Sequence, residues 1–418
     1  MPDVNTREGL AAAVRTAVDD VTITDIHTHL FPPAHGDLLL WGIDELLTYH
    51  YLVAELFTIA PSDLTPEKFW KMSKTEQADL VWKHVFLDHG ALSEACRGVV
   101  TTLRLLGLDV KARDLAGIRK WFAEQDEEEY IAKVFELAGL DYAVMTNDPF
   151  VDEEVAHWQS GAAGWDTLKP ALRIDPLIVN WPKAVATMKA QGYDVTEELS
   201  NANYATARTF LADWARKMGD PVYMAASLPP SFRYPADDTM AQVVQNVIMP
   251  TAEELGLPMA MMIGVRKQVN PALGDGGDAV GIADVESVMN LCKQNPNVKF
   301  LVTMLSRVNQ HELCVAARKF GNLHLFGCWW YCNDPSIIDE MTRQRFELLG
   351  ATFTANHSDA RVLDQLIYKW SHTRKVVGDV AVDKYLDLFD AGWRPTEQEI
   401  ARDVRGIFGG RFEEFLAK

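Results

Sequence analysis

Two histidines stand two positions apart, His27 and His29, in the segment TITDIHTHLFPP. In an extended chain such residues leave the same face, because strand side chains alternate. Imidazoles so placed can bind one metal ion together. Asp359 closes the segment TFTANHSD. Its carboxylate can ligate a metal, act as a general base, or do both in turn. His357 lies two residues earlier on the same face, deeper by roughly 6–7 Å of strand rise. A satisfied core histidine is the plainer reading of it. Asp25, two residues before His27, either orients a ligand or is a buried structural carboxylate. Arg173, Arg233, Arg266, Arg307 and Arg361 lie near the ends of apolar runs. A guanidinium fork is the natural clamp for a substrate carboxylate. Each is equally readable as an ion-pair partner for a loop acid. His50 and Tyr51 fall in LLTYHYL, a helical pattern. Spacing alone favours an amphipathic helix with aromatic core residues over a cap on a pocket.

The elements that must bring these residues together follow from the apolar pattern. Eight short apolar runs emerge: Thr22–Leu30, Tyr142–Phe150, Leu168–Leu177, Val222–Leu228, Met259–Val265, Val298–Leu305, Leu323–Trp330 and Thr352–Asp359. Helical stretches such as Met240–Leu255 and Gln310–Phe320 separate most neighbours. Near-continuous apolar strands alternating with amphipathic helices imply a parallel sheet covered by helices. Eight such units predict an α/β fold, a distorted (β/α)8 TIM-type barrel. An open doubly wound sheet would want a glycine-rich first turn, and His-Thr-His-Leu-Phe-Pro-Pro stands there instead. In a barrel the site forms at the C-terminal strand ends, and the eighth strand neighbours the first. The long, mostly helical gap after the first strand reads as an inserted subdomain at 35–135. It separates an N-terminal helix and first strand (1–34) from the rest of the barrel and C-terminal helices (136–418).

Composition narrows the chemistry. The 418 residues hold 40 Lys+Arg against 59 Asp+Glu, a formal charge of −19. So acidic a chain is a poor partner for nucleic acid or for an anionic membrane surface. A few arginines in one pocket still suit a small anionic substrate. The five cysteines form no CxxC pair, so zinc knuckles and disulfide frameworks are unsupported and buried thiols expected. The N-terminal stretch reads as an amphipathic helix without a leader's apolar core, and no apolar run is long enough for a membrane span. A soluble cytoplasmic protein is expected, with a homo-oligomer compatible. No Lys ends the fourth strand and no His ends the fifth or sixth. One metal at most is therefore expected, held by His27, His29, Asp359 and, as an option, His357. The loop Gly274–Gly281 is glycine-rich but acidic and lacks GK[ST], which argues against a phosphate cradle.

Together these segments resemble the uronate isomerase (glucuronate isomerase) family of the amidohydrolase superfamily, over about residues 22–375. HxH is matched by His27 and His29, and a His-Tyr pair on the insertion's first helix by His50 and Tyr51. Asn147-Asp148-Pro149 stands for a TDDP-like turn, and Arg173-Ile174-Asp175 for an RPD-like strand end. Gly264–Asp278 approximates a glycine-rich segment with Arg266 in the arginine place. Trp329-Trp330-Tyr331-Cys332-Asn333-Asp334 matches WWFND, and Ser358-Asp359-Ala360-Arg361 a TDSR-like end. Departures fall on the fourth strand (Ser227–Tyr234) and the fifth, where Met262 replaces a histidine. His357 is a candidate to compensate for that loss.

The resemblance implies a distorted barrel with a helical insertion and an aldose–ketose isomerase for a hexuronate or related sugar acid. It implies Asp359 as base or proton shuttle, and His50 and Tyr51 as proton handlers. Arg361 and Arg173 would hold the carboxylate or enediolate, with Arg266, Trp329, Trp330 and His357 around the substrate. One divalent ion, zinc being expected, would sit on His27, His29 and Asp359. The rival readings are a mononuclear metal-dependent hydrolase, lyase or epimerase on a small carboxylic acid, and a non-catalytic sugar-acid binder.

Overall fold

A computed structural model describes residues 3–161 and 166–418. Helix α1 (Arg7–Asp20) is capped by Thr6, whose side chain accepts from the Gly9 N–H, and it buries Leu10, Val14 and Val18. Their spacing makes one apolar stripe. The chain then enters β1 (Ile23–Asp25), which is wholly buried.

Between β1 and β2 (Leu140–Val144) the chain is helical, with α2 (His50–Ile59), α3 (Glu94–Leu105) and α4 (Glu127–Ala138) among its elements. Strands β3 (Leu168–Lys169) and β4 (Leu172–Arg173) share the third barrel position. The apolar pattern predicts a single run there. Pro170 lies between the two pieces and has no N–H for a ladder. The expected run also overshoots, because a short helix begins at Asp175 with Pro176 in its first turn. β5 (Met224–Leu228) and β6 (Met259–Ile263) fill the fourth and fifth positions. An outlying antiparallel ribbon, β7 (Val265–Arg266) with β8 (Ala279–Val280), follows. β9 (Phe300–Met304) and β10 (Leu323–Leu325) are sixth and seventh, and helix α5 (Pro335–Leu349) comes next.

The pairing is parallel throughout the barrel. β1, β2 and β3 form one set, and β4, β5, β6, β9 and β10 another. A bridge between Asn147 and Leu172 joins the sets, and one between Phe326 and Thr354 adds the eighth position. Closure comes from two bonds. The Asp359 N–H donates to the His27 carbonyl at 3.1 Å, and the His29 N–H to the Ala360 carbonyl at 2.8 Å. The chain is a distorted (β/α)8 barrel, with β6 and β9 buried along their whole length, as a sheet covered on both faces requires.

Helix α6 (Gln365–Asp390) follows the eighth position and packs against α1, α3, α4 and α5. Its N-terminal end is tied to the insertion by Asp364, which accepts from the Gly42 N–H at 2.8 Å and from the Tyr130 hydroxyl. The five cysteines are free and buried. Among the described residues no helix is long and apolar enough to cross a membrane.

Candidate active site

His27 and His29 lie just past β1, in extended chain held between the second and eighth barrel positions. The Thr28 N–H donates to the Val144 carbonyl at 2.8 Å on one side, and Asp359 and Ala360 pair on the other. The two imidazoles therefore turn to the same face, toward the barrel mouth. Asp359 meets them there: its Oδ1 is 3.3 Å from His29 Nε2 and 3.6 Å from His27 Nε2. Asp359 has φ +53°, a left-handed conformation that aspartate tolerates better than most residues. Asp25 anchors the eighth segment from below. Its carboxylate accepts from the Ser358 N–H at 3.0 Å and from Trp370 Nε1–H at 2.9 Å. Burial pushes its pKa up to about 6. Of its two readings, the structural carboxylate fits these contacts.

Tyr223 decides the state of His27. Its hydroxyl donates to the Ile26 carbonyl at 2.7 Å, so its single proton is used. Toward His27 Nδ1, 3.2 Å away, it accepts, which places the imidazole proton on Nδ1. The Nε2 lone pair of His27 is then free and faces Asp359. Burial drives the His27 pKa down to about 3, with His29 pushing the same way and Asp359 opposing. His29 also falls well below its ordinary value through burial, then Arg361 and Arg173. Both rings are neutral at pH 7, the form that binds metal.

The donor set fits a metal. Ligand atoms of His27, His29 and Asp359 all lie within 4.8 Å of one another. His27 Nε2 and Asp359 Oδ1 are buried without a hydrogen-bond partner. Two imidazoles and one carboxylate suit zinc or a similar divalent ion, and three protein ligands leave a position open for a reactant.

A small chamber of about 30 Å³ adjoins the trio, lined by His29, Asp359, Arg361, Arg173, Lys267 and Trp329 among others. Arg361 pairs with Asp275 at 2.6 Å. Arg173 pairs with Asp175 at 3.0 Å and reaches Asp148 at 3.8 Å. Ser227 near the end of β5 and Tyr49 also line it. A larger cavity of about 220 Å³ lies beside it, and His50 and Trp330 wall both. Tyr51 faces the larger one. Its hydroxyl is buried and unpartnered, and its pKa is held well above the usual range by burial and by Tyr49. His50 starts α2 and sits edge-on to Trp330, ring centres 5.5 Å apart. Burial takes its pKa down to about 3.

Four candidates stand outside the chamber. Arg266 is exposed on the outlying ribbon, and its neighbour Lys267, also exposed and paired with Asp278 at 2.7 Å, reaches the chamber wall instead. Arg233 donates to the carbonyls of Pro230 and Phe232, and Arg307 pairs with Glu340 at the surface, so neither faces the chamber. His357 lines neither cavity and stands outside the metal cluster. It packs behind His27, ring centres 5.1 Å apart, against Phe326. The close approach needs Gly327, where a Cβ would sit 2.1 Å from the His357 ring. Sequence reasoning passed over Tyr223, Lys267, Ser227 and Lys369. Of these only Ser227 falls in a segment that departs from the family pattern.

Comparison with known proteins fits this geometry. No protein-family model matches the chain, and no curated protein matches it. Among solved structures, a uronate isomerase from Bacillus halodurans C-125 is similar at 50% identity, covering 99% of this chain and 97% of that one, with a TM-score of 0.96. A uronate isomerase from Thermotoga maritima has 17% identity, 97% of each chain covered and a TM-score of 0.75. A glucuronate isomerase from Caulobacter crescentus has 15% identity, 98% and 94% covered, and the same TM-score. The last two establish the shared fold alone.

Proposed function

The chain belongs to the uronate isomerase family, and from that premise we propose how its own residues carry out the reaction. The protein is an aldose–ketose isomerase acting on a hexuronate. The reaction moves a proton from C2 to C1 of the open-chain sugar and shifts the carbonyl from C1 to C2. It consumes no co-reactant.

The observation that carries the assignment of roles is the meeting of Asp359 with the neutral His27–His29 pair, ringed by Arg361, Arg173 and Lys267. A divalent ion, zinc by its donor set, would be held by His27, His29 and Asp359 and would polarise the sugar oxygens it touches. Asp359 takes the C2 proton and returns it at C1. Tyr51, whose burial keeps it protonated, gives a proton to the carbonyl oxygen as the enediol forms and takes one back from the neighbouring oxygen. His50 is neutral and hands protons along the same wall. Arg361, with Arg173 and Lys267, neutralises the substrate carboxylate, and Trp329 and Trp330 exclude water from the reacting carbons.

The test is an NMR screen of hexuronates in D2O with protein whose metal content has been measured. The expected result is a ketouronate from at least one hexuronate, in the presence of one bound divalent ion per chain. Metal-loaded protein that hydrolyses its substrate, or leaves every hexuronate unchanged, would overturn the assignment.

A further inference from the structure

The larger cavity holds a side chain to which the mechanism above gives no part. Lys369 lies on α6 and is only 4% exposed. It lines the cavity with His50, Tyr51 and Trp330, and its ammonium stands 5.8 Å from the centre of the Tyr51 ring. Among the described residues the ammonium has no hydrogen-bond acceptor and no carboxylate in ion-pair range. The acids that act on it are Asp359, Asp25 and Glu94. Asp25 is taken up by Ser358 and Trp370. Glu94 is taken up by His372 at 2.6 Å and by Arg97 at 2.6 Å. Asp359 faces the two histidines. Burial lowers the Lys369 pKa.

An ammonium that opens on a cavity with an aromatic ring beside it and no carboxylate in reach marks a place where negative charge arrives. Two negative groups are available on a hexuronate undergoing isomerisation. The carboxylate is negative throughout, and the small chamber already offers it Arg361, Arg173 and Lys267. The oxygen on C1 becomes negative only as the C2–H bond breaks and its electron pair forms the C1=C2 bond. Tyr51, which serves that oxygen, shares its cavity with Lys369.

We propose that Lys369 is a further catalytic residue of the isomerisation, its ammonium stabilising the enediolate oxygen on C1 beside Tyr51. The proposal rests on the isomerase reading. It sets C1 and C2 at the wall of His50 and Trp330 that the two cavities share, so that Asp359 reaches both carbons from the small chamber while the C1 oxygen points into the larger cavity. Lys369 gains or loses no proton in the step. Its charge lies where the transition state needs it, as an oxyanion donor does.

The test compares wild type with Lys369→Met, which keeps the length of the side chain and removes the charge. Lys369→Gln serves if the first variant does not fold. Loss of a donor of this kind predicts a kcat lower by about 100-fold or more, with KM changed little. Binding is read with two inhibitors that share the carboxylate end of the sugar. One is the aldonic acid with an alcohol at C1, and the other a hydroxamate that mimics the cis-enediolate. The variant should bind the alcohol as wild type does and the hydroxamate about 100-fold more weakly. A variant with undiminished kcat overturns the proposal. So does one in which only KM rises, because Lys369 would then hold the carboxylate, or one in which both inhibitors weaken equally. If wild type isomerises no hexuronate, the isomerase reading itself has failed, a result distinct from an active wild type with an equally active variant.

Discussion

The Tyr223 hydroxyl and Nδ1 of His27 lie 3.2 Å apart, and because that hydroxyl spends its proton on the Ile26 carbonyl, it fixes the ring as the Nδ1–H tautomer. The lone pair that faces Asp359 is thus set by a tyrosine on the fourth barrel position. Tyr223→Phe removes the acceptor and frees the ring to adopt the other tautomer. Metal affinity should fall about 10- to 100-fold, as when outer partners of metal-bound histidines are lost. Competition with a chromophoric chelator measures it. Affinity equal to wild type would mean the ring is oriented by packing alone.

His357 has both ring nitrogens buried and unpartnered, and it packs behind His27 without lining the chamber or joining the ligand trio. His357→Leu removes two unsatisfied polar atoms and keeps apolar volume behind His27. Metal stoichiometry should stay at one, and stability should be equal or higher by up to about 2 kcal/mol. Loss of the metal in this variant would restore His357 to the ligand set.

Arg361 lines the chamber beside Asp359 and is braced by Asp275. Arg361→Lys keeps the charge but loses the planar fork. We expect kcat/KM to drop by about 100-fold, near 2.7 kcal/mol. A drop under about threefold would place the substrate carboxylate elsewhere.

Acid stability carries a separate signature. His324 is 4% exposed, bonded through Nε2 to the Thr354 hydroxyl at 2.9 Å, and burial lowers its pKa to about 3. Its folded pKa lies below its unfolded value of 6.5, so the unfolded chain binds the extra proton as pH falls. The stability is whole above pH 6.5 and is lost as pH falls toward about 3, at about 1.4 kcal/mol per pH unit. Between pH 6.5 and 5 that is about 2 kcal/mol. Urea unfolding of His324→Gln should lose less than wild type over this interval by about that amount. Parallel losses in both proteins would contradict it.

The barrel was legible because buried parallel strands read as apolar runs, and His27, His29 and Asp359 were legible because strand ends in a barrel converge. Regular pairing is shorter than those runs. β1 spans three residues, and His27 and His29 hold their places through bonds to Val144 and Ala360 rather than through a long ladder. Arg266 and Lys267 could not be told apart, since both stand exposed where the ribbon turns and only the contact with Asp278 holds Lys267 at the chamber wall. Lys369 was hidden for another reason. It sits inside the long helix α6, where a lysine ordinarily faces water. Only the packing of α6 against α3, α4 and α5 turns that position inward. Tyr223 lies at the entry to β5, remote in sequence from the histidine it orients.

The account stands or falls on Asp359 moving a carbon-bound proton. The direct measurement is 13C NMR of a hexuronate labelled at C2, with metal-loaded wild type and Asp359→Asn at matched occupancy. Wild type should convert the C2 carbinol signal into a ketone signal. The variant should slow that conversion by about a thousandfold or more while still binding the aldonic acid. A ketone signal growing at the same rate in both, or in neither, would contradict it.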